Sequence, residues 1–192
     1  MTISQDSGDG PSDGLGWLND RQRDGGVDRV ALPASIPGSL WLCGKQAIVT
    51  RYDAGAWDTV VCLVERHELD GRYPDYVAWL DAAGDPTGGA AGRAIWMPIH
   101  DLHAPPPAAM VDLVDRIVAA LRRDRRVLVH CAAGKGRAGT TAVCVLVALG
   151  VEPDEALRTV ATCRPGAGPE AGVQRELVAA FATLVAGSTG DR

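Results

Sequence analysis

From Val27 onward the chain alternates between short apolar runs and longer stretches in which apolar residues return every three or four positions. Ser39 to Leu42 and Thr59 to Val64 are short and rich in apolar and β-branched residues, the pattern of buried strands. Ala94 to Pro98 and Val127 to Val129 repeat it. Met110, Leu113, Val114, Ile117, Val118 and Leu121 fall on one face at helical spacing. Pro106 and Pro107 suit the first turn of that helix, and Arg122 and Arg123 complement the negative end of its dipole. Tyr73 to Ala83 predicts another helix, ended by the turn-rich Gly84-Asp85-Pro86-Thr87-Gly88-Gly89. After Val129 comes a glycine-rich loop and then an almost wholly apolar helix to Leu149, which belongs in the middle of a domain. Pro153 to Cys163 and Ala171 to Val185 predict two more helices, the second with Val173, Leu177, Phe181 and Leu184 on its inner face. Strands first, then a helix, a strand and a helical tail, predict a single α/β domain.

Residues 1–26 are rich in Gly, Asp and Ser and are expected to form a disordered tail, with Trp17 and Leu18 as contact points. The folded domain is expected over 27–187, with a short C-terminal tail over 188–192. A formal net charge of -5 argues against a nucleic-acid partner and against purely electrostatic membrane docking. The five cysteines are odd in number and form no C-x-x-C pair, so a disulfide framework or zinc knuckle is not expected, and a reducing compartment is. The N-terminus shows no basic patch followed by an apolar run, and the C-terminus no prenylation box. The longest apolar run, Thr140 to Leu149, is too short for a bilayer core of about 30 Å. The expectation is a cytoplasmic protein without a membrane segment.

The chemistry concentrates in His130-Cys131-Ala132-Ala133-Gly134-Lys135-Gly136-Arg137. A buried strand running through such a loop into a helix presents backbone amides and a partly positive helix end to an anion. Gly134 to Gly139 spells G-x-G-x-x-G, but four residues separate it from the strand, and Asp154 and Glu155 open a helix instead of ending a strand. A dinucleotide fingerprint is therefore set aside. A nucleotide-binding G-x-x-x-x-G-K-[ST] loop fails because Thr140 stands where the lysine must be. The remaining reading uses Cys131 at the strand end and Arg137 six positions later. Loop amides, helix dipole and Arg137 together stabilise a thiolate, and the same groups bind a phosphate dianion. His130 is placed to orient the loop through a backbone hydrogen bond. Cys43, Cys62, Cys144 and Cys163 are expected to be buried and inert.

These residues resemble the cysteine-dependent phosphatases of the dual-specificity type, atypical members of the protein-tyrosine phosphatase superfamily, whose signature is His-Cys, five residues and Arg. The resemblance is tight in the loop and looser from about Leu40 through Phe181. It implies a central, mostly parallel sheet flanked by helices, no metal or other cofactor, and a phosphocysteine intermediate. It makes Cys131 the nucleophile, with Ala132, Ala133, Gly134, Lys135, Gly136 and Arg137 around the phosphoryl group. Trp96 to Pro105 resembles the family's acid loop, which makes Asp101 the general acid and then base; His100 and His103 are read as loop residues. Arg164-Pro165-Gly166 followed by Gln174 resembles the segment whose Gln positions the hydrolytic water.

Two departures from the family pattern bear on function. Ala138 stands where Ser or Thr usually stabilises the departing thiolate, as in the similar regenerating-liver phosphatases, so slow breakdown of the phosphocysteine is expected, with Thr140 or Thr141 compensating in part. Lys135 makes the loop similar to that of the tensin-like lipid phosphatases, although Ala132 occupies a position usually basic in them. The expected partner is a phosphorylated protein or peptide; alternatives are an inositol phosphate or phosphoinositide substrate and a phosphate-binding module with weak turnover. A redox or arsenate-handling enzyme would want a resolving cysteine next to the loop, and none is there. Arg72 and Tyr73, in the segment Glu65 to Tyr73, are candidate rim contacts, and Cys62 is a candidate redox partner of Cys131 by analogy with similar enzymes.

Overall fold

The computed structural model describes residues 26–52, 55–83 and 92–189. Apart from Gly26, the expected N-terminal tail lies outside them, as do Trp17, Leu18 and the turn-rich segment 84–89. Five strands, β1 (Val27–Val30), β2 (Ser39–Gly44), β3 (Thr59–Cys62), β4 (Ala94–Trp96) and β5 (Arg126–Cys131), form one sheet in the order β1-β2-β5-β3-β4. Every pairing is parallel except that of β1 with β2. The apolar runs of β2, β3 and β5 follow from this, because a parallel sheet is covered on both faces.

Among the described residues five α-helices flank the sheet: α1 (Pro74–Ala83), α2 (Pro107–Arg122), α3 (Gly136–Ala148), α4 (Pro153–Cys163) and α5 (Gly172–Thr189). One core joins Leu40, Leu42, Val61, Val127, Val129 and Cys131 to α2, α3, α4 and α5; the other joins Cys43, Val60, Cys62 and Leu128 to α1 and Trp57. In α2 the buried residues are the six that the spacing marks, each worth about 1.5–3 kcal/mol when removed from water. Pro106 is its N-cap residue and Pro107 opens it. Helix α3 is buried from Gly136 to Val147, so its apolar sequence meets neighbours on every side.

Three expectations need correction. Strand β3 ends at Cys62; Leu63 leaves the sheet, although its amide still reaches the His130 carbonyl at 3.0 Å. In α5, Leu177 and Phe181 are buried, but Val173 and Leu184 are 44% and 48% exposed. The buried stripe is instead Gln174, Leu177, Val178 and Phe181, because a polar side chain anchors the first turn. The helix also runs on to Thr189, past its expected end at Val185. None of the helices among the described residues is long and apolar enough to cross a membrane.

Candidate active site

Strand β5 delivers Cys131 to the C-terminal edge of the sheet, opposite Gly44 of β2. The chain then turns through Ala132 to Lys135 and enters α3 at Gly136. Gly134 has φ +70°, and a Cβ there would run into the Cys43 carbonyl, so glycine is required for both conformation and approach. Each loop carbonyl is held from outside: that of Ala132 by the Lys45 amide at 3.1 Å, that of Ala133 by Arg164 Nη2 at 3.0 Å, and that of Gly134 by Arg164 Nε at 2.8 Å. In a planar trans peptide the N–H points opposite to the C=O. The amides of Ala133, Gly134 and Lys135 therefore face the inside of the turn, where an anion fits.

Arg164, expected from the sequence only as part of the segment before Gln174, thus holds two of the loop carbonyls. It is 6% exposed and is itself fixed by Asp28 of β1 at 2.7 Å and by the Gly26 carbonyl at 3.2 Å. An edge strand from the start of the domain in this way braces a loop far along the chain.

Arg137, 2% exposed, turns under the loop. Its Nη1 donates to Glu68 Oε1 at 2.8 Å, to the Ile99 carbonyl at 2.8 Å and, longer, to the Leu63 carbonyl at 3.4 Å. Its Nη2 reaches Glu68 Oε2 at 3.3 Å and Asp101 Oδ1 at 3.1 Å. Nε, equally buried, has no partner among the described residues. Glu68 was not among the expected site residues. It sits in a single 3-10 turn, Arg66–Glu68, where its carboxylate and that of Glu65 cap each other's backbone. Burial alone would raise the Glu68 pKa, but hydrogen bonds from Arg137 and from the Glu65 backbone outweigh it and hold the carboxyl below its ordinary value.

Asp101 stands at the mouth, its side chain 65% exposed and in contact with Arg137. Its loop is tied down beside it: His100 Nδ1 lies 2.8 Å from Glu65 Oε2, and His103 Nδ1 2.8 Å from the Asp101 carbonyl. The two imidazoles meet edge to face at 4.7 Å.

His130 lies behind the loop in the second core. Its Nε2 pairs with the Tyr76 hydroxyl of α1 at 2.6 Å, whereas its buried Nδ1 has no hydrogen-bond partner among the described residues, so the expected backbone bond to the loop is not made in full geometry. Burial pushes its pKa down to about 3, so the ring is neutral near pH 7. Gln174, expected to hold a water, is 1% exposed with its amide already engaged. Its Oε1 accepts the Glu170 amide at 2.8 Å, the Ala171 amide at 3.5 Å and the Thr140 hydroxyl at 3.5 Å; its Nε2 donates to the His103 carbonyl at 3.2 Å. Thr141 donates to the Arg137 carbonyl at 3.0 Å. Both threonine hydroxyls are thereby committed elsewhere, and neither replaces the hydroxyl missing at Ala138.

The remaining expectations separate. Lys135 is exposed and runs along Gly166. Arg72 is exposed, but Tyr73 packs against the second core. Cys62 also faces the second core, where burial pushes its thiol up to about 12, whereas Cys131 belongs to the first. No three or more His, Cys, Asp and Glu side chains among the described residues come together as metal ligands.

The family model of the Swiss Army Knife protein DSP-PTPase phosphatase domain matches residues 44–181. No curated protein sequence matches the chain. Among solved structures, Tk-PTP in its active form is 27% identical with a TM-score of 0.59, covering 76% of this chain and 90% of that one. Kinase associated phosphatase (KAP), with serine substituted for its catalytic-site cysteine, is 18% identical with a TM-score of 0.69, covering 83% and 95%. PTPMT1 in complex with PI(5)P is 16% identical with a TM-score of 0.61, covering 81% and 96%. The last two likenesses concern the fold.

Proposed function

Since the chain belongs to the DSP-PTPase phosphatase domains, and is a cysteine-dependent phosphatase of the atypical dual-specificity type, we propose that it dephosphorylates phosphoproteins, phosphotyrosine first among them, with Cys131 as nucleophile. The observation that carries this reading is the state of Arg137. Glu68, Ile99, Leu63 and Asp101 hold its two terminal nitrogens, and its buried Nε, engaged by none of the described residues, is suited to donate to a phosphoryl oxygen.

In the first step Cys131 Sγ attacks phosphorus and the bond to the leaving oxygen breaks, that oxygen taking the proton of Asp101. Arg137 and the inward amides of Ala133, Gly134 and Lys135 hold the phosphoryl oxygens as charge spreads over them. In the second step Asp101 takes a proton from water, the water oxygen attacks phosphorus, and the S–P bond breaks to return the thiolate. A cytoplasmic setting goes with this reading, because the nucleophile needs a reducing compartment.

A second reading, hydrolysis of an inositol phosphate or phosphoinositide headgroup, is favoured by Lys135, a cation exposed on the loop itself. The test is a panel of phosphotyrosine, phosphoserine and phosphothreonine peptides and soluble inositol phosphates, with Cys131→Ser and Asp101→Ala variants. Preferred turnover of phosphotyrosine, abolished by Cys131→Ser, is the expected result. Preferred turnover of inositol phosphates selects the second reading. Phosphopeptide binding without any turnover overturns both in favour of a binding module.

A further inference from the structure

The hydrogen bonds of Gln174 assign it a task other than holding water. In the first turn of α5 its Oε1 reaches back to the amides of Glu170 and Ala171, half of a capping box, and also accepts from Thr140 of α3. The opposite end of the same amide donates to the carbonyl of His103, two residues beyond Asp101. The side chain therefore bridges the catalytic helix, the last helix and the acid loop.

The acid loop needs such a bridge. Asp101 is largely exposed, and its contact with Arg137 concerns groups that a bound phosphate would claim. The tie from His100 to Glu65 is made by a ring 64% exposed, in competition with solvent. The bond from Gln174 Nε2 is made by a side chain 1% exposed. The donor end of that bond is buried although the His103 end is not, and its loss would strand the desolvated Nε2 of Gln174.

We propose that Gln174 is a positioning residue, a latch that holds the acid loop through the His103 carbonyl and so keeps Asp101 over the phosphoryl site. The proposal rests on the phosphatase reading and assigns the residue to the first chemical step, because Asp101 protonates the leaving group there. A water-holding residue would act on the second step alone.

The test compares wild type with Gln174→Met and Gln174→Glu, alone and combined with Asp101→Asn. The substrates are phenyl phosphate, a poor leaving group, and difluoromethylumbelliferyl phosphate, a good one. Glutamate keeps an acceptor for the Glu170 and Ala171 amides and, when ionised, has no hydrogen for the His103 carbonyl. Because burial favours the protonated acid, which can donate, this variant is assayed across a rising pH series, and it isolates the latch if methionine impairs folding. Both variants are expected to lose about tenfold in kcat/KM on phenyl phosphate, about 1.4 kcal/mol. On the good leaving group the loss should be small, and in the Asp101→Asn background nothing further should be lost. Unchanged kcat/KM with lowered kcat and trapped phosphoenzyme would overturn the latch in favour of water positioning. An equal loss on both substrates, additive with Asp101→Asn, would overturn it in favour of a structural role. Absence of wild-type turnover on either ester would instead overturn the phosphatase reading beneath it.

Discussion

Replacing Glu68 by glutamine changes one charge and leaves the shape of the Arg137 clamp intact. Arg137 and Glu68 meet through two contacts, at 2.8 and 3.3 Å, with side chains 1% and 15% exposed. A hydrogen bond to a charged group is worth about 1.5–3 kcal/mol. If the guanidinium loses that much restraint, its Nε no longer dwells where the phosphoryl group arrives. The expected loss in kcat/KM for Glu68→Gln is about 10- to 150-fold at 1.36 kcal/mol per decade, and larger for Glu68→Ala. Stability gives an independent readout. The carboxyl is held below its ordinary pKa of 4.5, so the pair contributes fully above that pH and its contribution disappears as pH falls through the lowered value. Urea unfolding should show wild type more stable than Glu68→Gln near pH 6, with the gap closing as pH drops below 4.5. Wild-type kcat/KM in both Glu68 variants, while Arg137→Lys is inactive, would refute the clamp; so would a stability gap that ignores pH.

His130 makes the domain acid-sensitive from higher pH: with a folded pKa of about 3 against an ordinary 6.5, stability is complete above 6.5 and falls by about 1.4 kcal/mol per pH unit below it. His130→Gln, which retains an acceptor for Tyr76, should flatten that slope in denaturant titrations. Ala138→Ser supplies the absent hydroxyl and should raise the steady-state rate while shrinking a stopped-flow burst; a single phase with no gain would count against slow phosphocysteine breakdown. Arg164→Met breaks a buried ion pair and two loop hydrogen bonds and is expected to cost about 3–5 kcal/mol, lowering Tm and weakening inhibition by inorganic vanadate. Arg164→Lys should recover part of both, and an unaltered vanadate affinity in the methionine variant would show that the brace is dispensable to the loop.

What the sequence revealed of this site was what lies close along the chain. Cys131, the glycines and Arg137 occupy one loop, and Asp101 stands in a segment with its own pattern, so spacing and chemistry sufficed. Glu68 and Arg164 act across 69 and 30 residues, and no local pattern relates them to the groups they hold. The mutual capping of Glu65 and Glu68 was the one local trace, and it marks a turn without naming Arg137 as the target. Gln174 was found by position, but its hydrogen-bond partners depend on how three elements meet. The same residue explains the misplaced face of α5, because a buried polar side chain is invisible to apolar periodicity. Strand β1 was hidden for a similar reason: Asp28 interrupts its apolar pattern and is buried against Arg164, which pairs with it.

The strand order carries a consequence for how the molecule is made. Strands β1 and β2 form one half of the sheet, β3 and β4 the other, and β5 joins them by bonding to both. A chain emerging from the ribosome N-terminus first cannot join the two halves until β5, Arg126–Cys131, is available. Long-range closures of this kind make folding slow and leave strand edges open while they wait. The strand that ends the waiting carries the nucleophile at its tip. The sheet can close before Arg137 and Arg164, which complete and hold the catalytic loop, are in place, so nascent intermediates should be catalytically silent, and a substitution that hinders the turn at Gly134 should register as a lower yield of folded protein.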